Sequence, residues 1–262
     1  MYNFHFKVDW YFQMQKSNCN EYIIPFIEKV YNIKTEYRVL EIGCGAGGVI
    51  TAFVEKGCQG VGVDIYDGKW VYADEKLPDY VDAGRLRFVQ KDIYLADIES
   101  DLKGKFDVII LKDTIEHIHD QQRLINKIKN FLNPGGVVFF GFPPWQMPFG
   151  GHQQMCSSKI LSYFPYFHLL PKSLYKSILN LFKEHITEAL LEIKETGISI
   201  ERFENIVKKE GYKIINKQLY FINPIYKYKF GIKVRKQPKI IGSIPYLRDF
   251  FTTSVYYLIQ VI

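Results

Sequence analysis

The chain is poor in cysteine, and no two of its thiols form a ligand-like pair. Cys19, Cys44, Cys58 and Cys156 are scattered over 262 residues without a C-x-x-C spacing. This excludes a disulfide-stapled scaffold and a thiolate zinc site, and buried, idle thiols are expected instead. Residues 1–10 lack the basic segment, apolar run and small-residue cleavage site of a secretory leader, so a cytoplasmic location is expected. The apolar stretch 250–262 is too short to cross a bilayer. It is expected to dock on its own domain or to join a second copy in a homodimer. The sequence shows no internal repeat, low-complexity tract, obvious linker or recognisable nucleic-acid module.

What is present suits one α/β domain with an appended subdomain. Hydrophobic residues make up 47% and charged residues 24%, ordinary values for a globular protein, whereas 16% aromatic is high. The net charge of +6 is uneven: from residue 201 onward there are twelve Lys and Arg against four Asp and Glu. A basic carboxyl-terminal part can attract an anionic partner, or it can be solvated lysine on sheet-edge strands.

Residues 39–48 read VLEIGCGAGG, an apolar strand passing through an acid into a glycine-rich turn. Glycines at 43, 45 and 47 permit positive φ and allow a ligand to lie against the main chain. Gly43, Gly45 and Gly48 also satisfy the G-x-G-x-x-G spacing of a dinucleotide loop, so the turn alone decides little. Three carboxylates carry more information. Glu41 precedes the loop, Asp64 ends a second strand where it can accept from both ribose hydroxyls, and Asp92 follows a third where it can accept from an adenine amino group. A ligand that joins an amino acid, a ribose and an adenine is S-adenosylmethionine.

The motifs EIGCGAG (41–47), the acidic strand end at Asp64, KDI (91–93), FDVII (106–110) leading to IEHI (115–118), and LNPGG (132–136) occur in the order seen in class I S-adenosylmethionine-dependent methyltransferases, which the chain resembles over residues 37–142. The resemblance implies S-adenosylmethionine as cofactor. It places the methionine portion on the loop with Glu41, Gly43, Cys44, Gly45 and Gly47, the ribose at Asp64 with Ile65, and the adenine at Asp92 with Ile93. Within the family, the chain resembles the small-molecule methyltransferases of the quinone-biosynthesis O-methyltransferase type.

The expected fold is α/β, a doubly wound, mostly parallel Rossmann-like sheet. It carries a helical insertion after the fifth strand and a C-terminal antiparallel hairpin formed by residues 212–222 and 226–235 around Asn223-Pro224. The expected organisation is an N-terminal helical cap (1–36), a cofactor-binding core (37–142), a substrate-cover loop with helical insertion (143–198), and a last helix, closing hairpin and apolar tail (199–262). In the cap, Ile23, Ile27, Val30 and Tyr31 are expected to face the sheet.

Methyl transfer to an O–H or N–H nucleophile needs alignment and a proton acceptor. Asp113, His117 and His152 are the candidate catalytic residues. His119 reads as an exposed turn residue, and Trp145 as a ring against the substrate or an anchor for the cover. If residues 113–117 are helical, Asp113, Glu116 and His117 share a face and, with His152, could hold a divalent ion. That spacing resembles metal-dependent quinone O-methyltransferases and small-RNA 2′-O-methyltransferases, although metal-free relatives carry similar pairs, and the primary expectation is a site without metal. The main functional reading is methyl transfer to a small or medium-sized, partly apolar acceptor at oxygen. The alternatives are RNA methylation guided by the basic part, and cofactor or partner binding without turnover.

Overall fold

The computed structural model describes residues 8–65 and 77–262. Residues 1–7 of the expected cap and 66–76 of the expected core lie outside the described residues. Eight strands form one sheet in the order β3-β2-β1-β4-β5-β8-β6-β7. These are β1 (Arg38–Ile42), β2 (Gln59–Asp64), β3 (Leu86–Gln90), β4 (Phe106–Lys112), β5 (Leu132–Phe142), β6 (Tyr212–Ile222), β7 (Arg235–Lys236) and β8 (Ser254–Val261). The first five are mutually parallel, and β8 runs antiparallel to both β5 and β6. The order reverses between β1 and β4, which opens a crevice at their carboxyl ends.

Apolar runs explain why the central strands sit where they do. In β4 and β5, Val108, Ile109, Ile110, Val137, Val138, Phe139 and Phe140 are all fully buried, as expected for strands covered on both faces. One core cluster packs helices Gln121–Ile128 and Ile200–Lys209 on one face, and the other packs Gly48–Glu55 and the chain before β1 on the opposite face. In Gln121–Ile128, Leu124, Ile125 and Ile128 turn inward, and the Asp120 carboxylate caps the helix by accepting from the Arg123 N–H. The helix expected at 199–210 is Ile200–Lys209, capped by Ser199 and followed by Gly211 at φ 71°. The insertion after β5 contains Lys172–Leu181 and Thr187–Thr196, with a small core of its own.

Three details differ from expectation. The segment 226–235 opens as helix, Ile225–Phe230, and only Arg235 and Lys236 pair with β6. The strand beside β5 is instead the apolar tail, whose backbone is paired on both sides; its residues 255–259 are fully buried, so the tail docks within its own sheet. In the cap, Val30 is half exposed whereas Ile23 and Ile27 are buried, because the helix Ile24–Glu28 ends before Val30, which lies in the turn that follows.

Candidate active site

The glycine loop continues the sheet before it turns. The Gly43 and Cys44 N–H groups both donate to the Val63 carbonyl, at 2.8 and 3.2 Å, and the Gly47 N–H donates to the Cys44 carbonyl at 2.9 Å. Gly43, Gly45 and Gly47 have φ of 74°, 52° and 80°, conformations that cost an L-residue roughly 1–2 kcal/mol. The first two glycines serve different purposes. A Cβ on Gly43 would lie 2.6 Å from Thr114 Oγ1, so protein fills that side, whereas a Cβ on Gly45 would meet nothing within 4 Å. The open side of the loop is therefore at Gly45.

The carboxylates divide in the same way. Glu41 is 1% exposed, and its Oε2 accepts from the Ile50 N–H at 2.8 Å. It thus caps the helix Gly48–Glu55, whose N-cap, Gly47, brings no side chain. Burial holds the Glu41 carboxyl well above the usual range, the Ile50 N–H opposes this, and Asp64 adds to it. This places Glu41 behind the loop rather than in the crevice. Asp64 accepts from the Gly45 N–H at 2.8 Å, and Asp92 is exposed, accepting from the Tyr94 N–H at 2.8 Å. Ile65 is exposed, Ile93 belongs to the core, and Cys44 is buried, its Sγ close against Gly62. Gly45, Asp64, Ile65 and Asp92 thus belong to the accessible part of the expected set, and the polar contacts there come from Gly45, Asp64 and Asp92. An open backbone position flanked by acceptors at the tips of adjacent strands fits an adenosyl ligand.

Beyond β4 the chain turns through Asp113 at φ 53°, whose N–H donates to the Gly141 carbonyl at 2.7 Å. Thr114 Oγ1 then donates to the Ile42 carbonyl at 3.1 Å, tying this segment to the loop. Residues Ile115–His117 form a 3₁₀ turn rather than an α-helix, and Asp113 precedes it in a left-handed conformation, outside the helical turn. Asp113 pairs with the buried Lys112 ammonium instead.

Glu116, His117 and His152 do meet: one ligand atom from each lies within 4.8 Å of the others, a spacing that could hold a metal ion. The His117 and His152 ring centroids are 5.1 Å apart. Glu116 is 3% exposed with neither carboxylate oxygen hydrogen-bonded, and burial, reinforced by Asp113, pushes its pKa to about 8. Burial, then the neighbouring His117, pulls His152 to about 4, and its Nδ1 is buried without a hydrogen-bond partner. Burial likewise lowers His117. Both imidazoles are therefore neutral at neutral pH. His119 lies on the surface, 3.4 Å from Glu192.

Some contributors could not be found in the sequence. Tyr11 and Gln15 from helix Val8–Asn18, Lys112, and Ile225 and Lys229 from Ile225–Phe230 surround Asp113 around a cleft of about 10 Å³. Burial lowers the Lys229 ammonium, and Asp113 opposes that shift. Such a space accommodates about one water, so the two helices close over the acidic turn. A larger cavity, about 610 Å³, lies between Gln121–Ile128 and Ile200–Lys209, lined by His119, Arg202 and Tyr246 among others and by none of the expected site residues. Trp145 packs against the segment that follows β5, the expected cover. Its ring packs at the Gly197 position and edge-on to His168 at 4.7 Å, with Lys194 over it at 5.4 Å.

This geometry has relatives. Residues 14–165, more than half of the chain, match the family described as methyltransferase domain. The chain is 30% identical over 123 residues to the ubiquinone biosynthesis O-methyltransferase of Histophilus somni, a match covering 45% of this chain and 49% of that one. The chain spans about half the length of the quinone-type curated relatives it matches first. An S-adenosylmethionine-dependent methyltransferase from Clostridium acetobutylicum superposes with a TM-score of 0.56 at 15% identity, covering 99% and 96% of the two chains. Geranyl diphosphate C-methyltransferase from Streptomyces coelicolor, in complex with Mg²⁺, geranyl diphosphate and S-adenosyl-L-homocysteine, gives 0.58 at 12% identity, covering 94% and 81%. The chain belongs to the methyltransferase-domain family, with the class I, S-adenosylmethionine-dependent fold.

Proposed function

We propose that the protein transfers a methyl group from S-adenosylmethionine to an oxygen of a small or medium-sized, partly apolar acceptor. The observation that carries this reading is the Glu116, His117 and His152 cluster, joined through Thr114 to the glycine loop. The cofactor supplies a methyl carbon on a cationic sulfur, open to displacement opposite that sulfur. Asp64 and Asp92 hold the adenosyl part, and the open side of Gly45 accommodates the chain leading to the sulfur. The neutral imidazoles of His117 and His152 orient a hydroxyl acceptor and take its proton, work worth about 10²- to 10⁴-fold in rate. Helices Val8–Asn18 and Ile225–Phe230 shield the adjoining turn from bulk water. Asp113 acts as a positioning residue: its charge is neutralised by Lys112, and its backbone fixes the turn.

The same cluster supports an alternative to proton acceptance by the imidazoles: a divalent cation held by Glu116, His117 and His152, which would bind the acceptor oxygen as a Lewis acid. Four buried, unpaired thiols fit a reducing, cytoplasmic setting. The test is labelled-methyl transfer from S-adenosylmethionine into a lysate of the source organism, followed by mass analysis of the product, with and without a chelator. A methyl ether on an apolar small molecule is the expected product, and loss of yield with chelator supports the cation. Label only in RNA, or on carbon or nitrogen, overturns the acceptor assignment. Calorimetry that gives binding to NAD and none to S-adenosylmethionine overturns the whole reading.

A further inference from the structure

Residues 211–248 contain no aspartate or glutamate. β6 runs parallel to β5, because both are antiparallel to β8, so β6 ends at the carboxyl edge of the sheet, where the site opens. The chain between Ile222 and the start of β8 is thus confined to that edge, with β7 folded back against Tyr220 and Ile222. Three basic residues of 211–248 have carboxylate partners: Lys217 with Glu204, Lys227 with Glu21, and Arg248 with Glu201 and Glu204. Lys233, Arg235, Lys236 and Lys239 are exposed or partly exposed and pair with no carboxylate among the described residues.

Large apolar side chains stand exposed among these cations. Ile240 is 81% and Tyr246 71% exposed, and Ile232, Ile244 and Leu247 are each more than two-fifths exposed. Single exposed apolar residues are ordinary, but several within sixteen residues of one edge segment, interleaved with unpaired cations, mark an interaction surface. No helix among the described residues is long and apolar enough to cross a membrane.

We propose that this edge, residues 232–247, docks peripherally on an anionic lipid surface, with Arg235, Lys236 and Lys239 at the headgroups and Ile240 and Tyr246 inserted at the acyl boundary. The charge pattern calls for an anionic partner, and a second copy would set cation against cation. The apolar component separates lipid from nucleic acid: bases stack on aromatic rings, whereas four of the five exposed apolar side chains here are aliphatic. Insertion of aliphatic side chains beside lysine and arginine is the chemistry of interfacial membrane binding. Docking in this orientation holds the carboxyl edge of the sheet, and so the mouth of the site, against the bilayer.

The test is co-sedimentation of the full chain with vesicles of phosphatidylcholine alone or of equal parts phosphatidylcholine and phosphatidylglycerol. Binding is expected only with phosphatidylglycerol, weakening as salt rises. Each basic side chain near the surface should contribute roughly five-fold in partitioning, so R235E/K236E/K239E should abolish detectable binding, and I240S/Y246S should weaken it without changing the melting temperature. Absence of sedimentation, binding indifferent to both variants, or binding to a single-stranded RNA oligomer in preference to the vesicles overturns the proposal. So does a dimer in solution that I240S/Y246S dissolves.

Discussion

Substituting alanine at Gly43 and at Gly45 separates two demands that the loop places on its glycines. Both residues have positive φ, so each alanine pays a conformational penalty of roughly 1–2 kcal/mol. At Gly43 the new methyl would also fall 2.6 and 2.7 Å from Thr114 Oγ1 and Cγ2. Such overpacking costs about 1–3 kcal/mol, which brings G43A to roughly 2–5 kcal/mol in all. A chain of this size loses about 2 °C in Tm per kcal/mol, so G43A should melt roughly 4–10 °C lower and G45A only about 2–4 °C lower. The order reverses for ligand binding. The space at Gly45 is empty in the structure, and the overlap there arises only when the cofactor is present, so about 1–3 kcal/mol falls on the complex and weakens S-adenosylmethionine binding roughly five- to hundredfold.

The measurements are thermal melts without ligand and calorimetric titration with S-adenosylmethionine. A third variant supplies the control. T114A removes a hydroxyl that bonds to the Ile42 and Lys112 carbonyls at 3.1 and 3.2 Å, a loss of about 1 kcal/mol, and it also removes the atoms in the way of the Gly43 methyl. G43A/T114A should therefore be more stable than the two single effects added together, by about 1–2 kcal/mol. Unchanged cofactor affinity in G45A refutes the claim that the ligand lies against this side of the loop. If G43A is no worse than G45A, the Thr114 contact is not the rigid constraint described.

Two further outcomes rest on the site and on the closing segment. H152A and H117A should each lower kcat by about 10²- to 10⁴-fold while leaving S-adenosylmethionine affinity within a factor of two, measured once an acceptor is known; a change in cofactor affinity with kcat preserved would falsify the acceptor-side assignment. Asp249 is 1% exposed, accepts from the Ile200 N–H at 2.9 Å, and is raised by burial from 3.8 to about 7. Its folded form therefore binds more protons than the unfolded chain between those values, and stability should fall as pH rises from about 4 to 7, at up to about 1.4 kcal/mol per pH unit. D249N keeps an acceptor for Ile200 and should flatten that slope in chemical denaturation series; parallel curves for the two proteins would show that Asp249 does not titrate in this range.

What could be read from the sequence was local. The glycine loop, Asp64 and Asp92 are legible because a strand, a turn and the next strand tip dictate each other within a few residues. The helices Gln121–Ile128 and Ile200–Lys209 are legible because their apolar spacing and caps agree. Glu41 was placed correctly on its strand, but its side chain satisfies the N–H of a residue nine positions on. The missing side chain at the Gly47 N-cap was the available signal for that. Carboxylate, carboxylate and imidazole at helical spacing leave a helix at 113–117 open, whereas the left-handed Asp113 and the 3₁₀ turn after it come from anchoring to Gly141 and Ile42. Tyr11 and Lys229 could not have been linked to Asp113, since the three lie on segments separated by about a hundred residues each and meet only through the tertiary fold.

The strand order explains that convergence. Because β8 is inserted between β5 and β6, the chain leaving β6 must cross the carboxyl edge before it can return, and Ile225–Phe230 lies on that crossing against helix Val8–Asn18. The match to the methyltransferase-domain family ends at residue 165, and both Lys229 and the basic edge segment lie beyond it. The proposed cofactor side is therefore built from the part of the chain shared with the family, while the cover over the acidic turn is built partly from outside it. If that division governs function, K229A should leave cofactor affinity intact and alter acceptor KM or kcat, whereas Asp64→Ala should weaken the cofactor by roughly 1–3 kcal/mol through loss of its hydrogen bonds. Equal losses of cofactor affinity in the two variants would show that the two sides are not separable and that the closing helix acts on the cofactor as well.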